Sequence, residues 1–198
     1  MTRNTSNETS ADRADLILAL EEAAQPCFVT LEGDVRELKD GIELCGVAVR
    51  GASLRAHLAG CERALLFAAT LGVQVDRLIS RRAVLSVADA YLLDTLASEA
   101  IERYCDEVQE ALSDRSDGLY LRPRYSPGYG DVPMETSFAL LNALHAGKRI
   151  GLCATARGML TPVKSVTAFI GLTREKQSCH IHKCAACPNT GCAFRKEA

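Results

Sequence analysis

The chain has no tryptophan, and aromatic residues make up only 5% of its 198 positions. Its core must therefore be assembled from Ala, Leu, Val and Ile, and 47% hydrophobic content is enough for one domain of good size. No apolar run approaches the ~18 residues that a membrane span requires. Met1 to Asp15 has no apolar signal core, which predicts a protein that is not secreted and stays in the cytoplasm. Charge is also nearly balanced, with a formal net charge of −2. Nucleic-acid binders normally carry a clustered basic excess, so that class is set aside. No internal repeat is visible, and no Asp-x-His-x2-Gly motif occurs.

Cysteine is what the chain does have. Four of the nine fall in the last twenty residues, as Cys179-x4-Cys184-x2-Cys187-x4-Cys192. In a reducing compartment such a group reads as ligands or free thiols, not as a disulfide framework. Four thiolates on one short loop suit zinc or an iron–sulfur cluster far better than calcium or magnesium. The Cys-x4-Cys-x2-Cys order also matches three ligands of plant-type ferredoxins, by spacing alone. A zinc clamp on a short tail, or thiols that bind nothing, remain open. Cys27, Cys45, Cys61, Cys105 and Cys153 sit among apolar neighbours and read as ordinary buried thiols.

Residues 1–11 are polar and read as disordered, 12–173 as the folded domain, and 174–198 as the cysteine-rich tail. Apolar spacing at Ala14, Ile17 and Leu18 predicts a helix from Asp12 to Ala24. Ile42 to Val49 and Arg63 to Thr70 read as strands. Ser53 is a candidate N-cap for a short helix that Gly60 closes. A helical stretch follows over Val73 to Ser80. The longest element spans about Ser86 to Leu112, with a stripe at Val87, Tyr91, Thr95, Ser98, Ile101, Cys105, Val108 and Leu112. A short extended piece covers Leu119 to Arg122, a helix covers Glu135 to Ala146, and Arg149 to Ala154 and Lys164 to Ile170 read as strands. Helices and strands alternate irregularly, so the expected class is α+β.

Between Arg122 and Asp131 lies Arg-Pro-Arg-Tyr-Ser-Pro-Gly-Tyr-Gly-Asp. Gly128 and Gly130 let backbone amides approach a ligand, and Pro127 stiffens the entry. Arg124 offers a planar fork that matches a carboxylate. The same composition also makes a tight surface turn with an exposed Arg. The long helix carries Asp89, Asp94, Glu99 and Glu102, any of which could meet an ammonium group or merely solvate the helix. His57 and His145 are isolated and read as structural.

From about Ile42 to Leu172 the sequence resembles the activation (reactivation) domain of cobalamin-dependent methionine synthase, in particular stand-alone bacterial forms with a cysteine-rich tail. Arg124-x3-Gly128-Tyr129 is similar to the family's Arg-x3-Gly-Tyr loop, which binds S-adenosylmethionine. Thr155 to Gly171, with Met159, Pro162, Lys164-Ser165-Val166 and Gly171, resembles the segment that follows. The helix around Ala97 to Ala100 and Glu102 resembles the family's long acidic helix.

The resemblance implies a mixed or antiparallel sheet with long helices. It implies that Arg124 holds the S-adenosylmethionine carboxylate and that backbone near Ser126 and Gly128 contacts the ligand. Tyr129 would lie by the transferred methyl group, and Glu99 would take the amino group. Ala156 stands where many activation domains have Glu, and full-length methionine synthases lack the tail. With no corrinoid-holding motif, the chain would serve a corrinoid-carrying core methionine synthase or related methyltransferase as a reactivation partner. The cobalamin would be held by that partner. Reductive methylation needs one electron besides the methyl group, so an iron–sulfur tail fed by a low-potential donor would act as a relay. The alternatives are a zinc-stabilised, non-catalytic adaptor of a corrinoid protein, or a subunit of another corrinoid-dependent methyltransferase.

Overall fold

A computed structural model of the chain describes residues 5–114 and 118–174. Its centre is β4 (Arg63–Thr70), where every residue from Ala64 to Thr70 is buried. Such a continuous apolar run needs cover on both faces, and it gets it. Ala64, Leu66 and Ala68 pack into one core, while Leu65, Phe67 and Ala69 pack into the other. β4 is flanked by β1 (Cys27–Leu38) and β8 (Ser165–Thr173), both antiparallel to it. β2 (Gly41–Leu44) and β3 (Val47–Arg50) continue the sheet beyond β1, and β5 (Tyr120–Leu121) closes it beyond β8, in the order β3-β2-β1-β4-β8-β5. All of the named pairs are antiparallel.

One face carries α1 (Thr5–Ala23), α3 (Val73–Leu85) and α4 (Val87–Ser113). The other carries α2 (Ala52–His57), α5 (Thr136–Ala143) and α6 (Ala146–Ile150). A small hairpin, β6 (Cys153–Ala154) with β7 (Leu160–Thr161), sits beside the sheet. Fully burying one large apolar side chain such as Phe67 or Phe169 contributes about 1.5–3 kcal/mol. The two cores therefore dominate stability without help from tryptophan.

Several local expectations differ from the structure. Of the five scattered cysteines only Cys61 and Cys105 are buried; Cys45 is half-buried, and Cys27 and Cys153 are exposed. Ile42 to Val49 is not one strand but the β2–β3 hairpin, because Cys45 and Gly46 both take positive φ (52° and 79°), the geometry of a two-residue turn. Ser53 is not the N-cap of α2; Gly51 occupies that position, and Ser53 has another task. The proposed strand Arg149 to Ala154 begins as α6, which ends at Gly151 in the left-handed region. Helix α1 opens at Thr5, upstream of Asp12, and buries Leu16 and Leu20, while Ala14, Ile17 and Leu18 face outward. In α4 the buried stripe is Ala90, Leu93, Leu96, Ala97, Ile101, Cys105 and Val108. Val87 and Tyr91 lie on the outside, 77% and 76% exposed. Two stripes were available in that half, and the one with small Ala90 and Ala97 lets the helix approach the sheet.

Candidate functional site

The site begins as a fault in a strand pairing. Tyr120 and Leu121 face Thr173 and Leu172, and the Arg122 N–H donates to the Gly171 carbonyl at 2.8 Å. Continued without a break, that register would set Arg124 opposite Phe169. Instead Tyr125 faces Phe169 and exchanges hydrogen bonds of 2.9 and 2.8 Å with it. One extra residue has been accommodated at Pro123-Arg124, where Pro123 has no N–H to give the ladder. Such a bulge reverses the alternation of faces. Arg122 and Tyr125 therefore turn towards α2, and Arg124 turns towards α4.

On the α4 side Arg124 is received by acids one turn apart. Its Nη2 lies 2.9 Å from Glu102 Oε2 and 2.7 Å from Asp106 Oδ1, and Nη1 donates to Gln109 Oε1 at 3.2 Å. Gln109 in turn donates from Nε2 to the Arg122 carbonyl at 3.1 Å, tying helix to loop. The Arg124 side chain is only 14% exposed, while Glu102 and Asp106 are 62% and 72% exposed. Burial works against the guanidinium charge, but the hydrogen bond it donates to Asp106 and the anionic neighbours outweigh that and hold its pKa above the usual value. Cys105, between the two acids, points the other way into the core. Burial pushes its thiol up to about 12, against the pull of Arg124, so it is inert packing.

Further along α4, Asp94 and Ser98 hold Lys164, with Nζ 2.7 Å from Asp94 Oδ1 and donating to Ser98 Oγ at 2.9 Å. Asp94, Ser98, Glu102 and Asp106 recur every four residues, so one polar seam of the helix faces the loop and the start of β8.

The loop itself is pinned from the opposite layer. The Asp131 carboxylate accepts from the backbone N–H of Ala52 at 2.6 Å, from that of Ser53 at 3.2 Å, and from Ser53 Oγ. The Asp131 N–H donates back to Ser53 Oγ at 3.1 Å. Chiefly through the Ser53 hydrogen bond, the Asp131 carboxyl is held below the usual carboxylate range. Tyr125 donates from its hydroxyl to the Tyr129 carbonyl at 3.1 Å and packs 5.1 Å from the His57 ring, whose Nε2 meets the Pro123 carbonyl at 2.9 Å. Gly130, at φ +57°, has no room for a side chain: a Cβ there would sit 2.5 Å from Ser53 Oγ and 2.6 Å from the Tyr125 hydroxyl.

Between loop and helix lies a cavity of about 540 Å³, within the range typical of small-molecule sites. Glu102, Asp106, Arg124, Ser126, Tyr129 and Val166 are among its lining residues. Of the residues singled out in the sequence, Arg124, Ser126 and Tyr129 come together here. Gly128 shapes the turn, with φ +93° and its N–H on the Val132 carbonyl at 2.9 Å, but does not line the cavity. Glu99 is exposed on α4, outside that wall. Asp106, Gln109, Asp131 and Lys164 were not picked out as site residues; for Asp106 the signal was its position one turn after Glu102. Tyr129, in the cavity wall, and Met134 and Met159, outside it, are each about half exposed, and Met134 packs between the turns at Gly128 and Gly158. Cys179, Cys184, Cys187 and Cys192 lie outside the described residues. Among the described residues, no three His, Cys, Asp or Glu side chains converge as a metal site, and no helix is long and apolar enough to cross a membrane.

No protein-family model matches the chain, and no curated protein sequence matches it. Among solved structures, that of the MetH reactivation domain bound to AdoHcy matches with a TM-score of 0.64 at 16% identity, over 87% of this chain and 66% of the other. The fold is similar to that of the MetH reactivation domain. The chain spans just under two thirds of that neighbour's length. The α+β class and the antiparallel sheet with long helices are what the sequence led us to expect.

Proposed function

We propose that the chain binds S-adenosylmethionine in the Arg124 cavity and serves as a reactivation partner for a corrinoid-dependent methyltransferase, a methionine synthase in the first instance. One observation carries the reading: a single guanidinium, paired directly with two carboxylates, lines a cavity of about 540 Å³ whose wall also carries an exposed tyrosine. An amino-acid head group brings both charges that this arrangement can satisfy. Its carboxylate would take the Arg124 fork, and its ammonium group would take Glu102 or Asp106, which are better placed than Glu99. The likeness of fold to a MetH reactivation domain with AdoHcy bound supports the same ligand class.

Here the chain's own residues orient and shield. Asp131 and Tyr125 hold the loop, Ser126 and Val166 border the ligand, and Tyr129 stands at the open side, where the methyl group would be presented. The half-exposed Tyr129, with Met134 and Met159 on the neighbouring turns, would supply apolar surface suited to docking over a flat macrocycle carried by a partner. When bound on that partner, the corrinoid supplies the methyl-accepting centre. The four tail cysteines would hold an iron–sulfur cluster that relays the electron, or a structural zinc.

Isothermal calorimetry tests the first part. Arg124→Ala should weaken S-adenosylmethionine binding by about 2–3 kcal/mol, the loss of a charge-assisted pair. No binding by the unaltered chain, with and without a corrinoid partner, ends the reading. Anaerobic purification with iron, sulfide and zinc analysis tests the tail. Iron with acid-labile sulfide supports the relay; stoichiometric zinc, which has no redox chemistry, makes the tail structural.

A further inference from the structure

We infer a second ligand site, for an oxyanion, at the far end of β8 from Val166. Arg122 is 5% exposed, and its guanidinium is aimed at the C-terminal end of α2, donating from Nη1 to the His57 carbonyl at 2.8 Å and from Nη2 to the Ala59 carbonyl at 2.7 Å. Its Nε is buried without a hydrogen-bond partner. No described carboxylate forms an ion pair with it, so neutral carbonyls alone face a buried charge. That is a costly arrangement unless an anion completes it.

The missing anion has a place to sit. Arg122 lines a cavity of about 270 Å³ that also has Arg63, Arg174 and one acid, Glu62, in its wall. Arg63 shares its charge with Glu32 at 2.7 Å, outside this cavity. Gly60, at φ +76°, leaves the approach beside Arg122 open. The excess is cationic in a chain whose net charge is −2. Three arginines around one small cavity suit a phosphate or other multiply charged oxyanion, which can accept from several donors at once.

A second cavity of about 570 Å³ adjoins it, with Arg63, Leu119, Leu172 and Arg174 in both walls. The second is floored by Leu65, Leu112 and Leu121. The ligand chemistry is therefore an oxyanion head, either free or carried on a short apolar body. The site lies apart from the Arg124 cavity, shares no arginine with it, and does not depend on the adenosyl reading.

Calorimetry on the full chain at constant ionic strength tests the assignment, with inorganic phosphate, octyl phosphate and octanol as probes and chloride as the balancing salt. Inorganic phosphate should bind, and Arg174→Ala or Arg63→Ala should weaken it by about tenfold, as expected for one charge-assisted bond. Both substitutions are at exposed positions, so the fold survives them. Arg124→Ala should leave phosphate affinity at the wild-type value. Octyl phosphate binding more tightly than phosphate identifies an amphiphilic ligand, and equal affinity identifies the free anion. The proposal is overturned if phosphate does no more than chloride, if octanol binds as well as octyl phosphate, or if Arg124→Ala abolishes phosphate binding while Arg174→Ala does not.

Discussion

Arg122 and Arg124 are separated by one proline and enter opposite layers of the protein. Arg122 lies against carbonyls at the end of α2, nearly inaccessible, with no described acid beside it. Arg124 lies against α4 with two half-solvated carboxylates and a glutamine on it. The residue type is the same, and so is the stretch of chain. What differs is the compensation: carbonyl dipoles with no carboxylate face one guanidinium, whereas two exposed carboxylates hold the other. A one-residue bulge separates the two environments.

Deleting Pro123 attacks that comparison most directly. Removing the extra residue restores the β5–β8 register and draws Arg124, still on the α4 side, out of its bulged position into the regular ladder opposite Ile170, so S-adenosylmethionine binding should drop sharply in calorimetry. Far-ultraviolet circular dichroism should still report a folded chain; if the ligand is bound with wild-type affinity, the bulge does not set the site.

Exchanging the two arginines' losses comes next. Arg122→Met strands the His57 and Ala59 carbonyls and should cost about 3 kcal/mol of stability in urea unfolding, at roughly 1–3 kcal/mol per orphaned group. Arg124→Ala should cost well under half of that, because its partners are exposed. A larger stability loss at Arg124 than at Arg122 would invert the assignment.

The smallest expected effect is alkaline. The unfolded Cys105 thiol titrates near 9.0 and the folded one near 12, so the unfolded chain gives up its proton first. This contribution is therefore complete below pH 9 and declines as pH rises towards 12. Cys105→Ala should flatten the decline in stability over that range, and an unchanged slope would show that the thiol is not the group responsible.

Much of the fold was legible where sequence pattern and burial coincide. β4 is an uninterrupted apolar run, and α4 has Ser86 as its cap, accepting from the Asp89 N–H at 3.2 Å. β1 was not, because it is largely solvent-facing along its length and mixes Glu32, Asp34 and Arg36 with its apolar residues. In the site, Arg124, Ser126 and Tyr129 could be found because they share one short loop. Asp131 belongs to the same loop, but its partners lie 78 and 79 positions away, at the start of α2. No local pattern announces a contact of that span. Glu99 was the candidate because a helix of many acids admits more than one rotation, and the packing of Ala97, Ile101 and Cys105 against the sheet leaves Glu102, not Glu99, in the cavity wall.

The sheet's outermost strands have a bearing on the protein's behaviour at high concentration. β5 is two residues long and β3 four, so neither border presents an extended row of unpaired amides and carbonyls. Immediately past β5, Pro123 and the bulge bend the chain off the ladder, as an irregular border does when it refuses a further strand. A neighbouring molecule seeking to extend the sheet finds little template on either side. The irregularity that aims Arg124 thus also guards against edge-to-edge self-association.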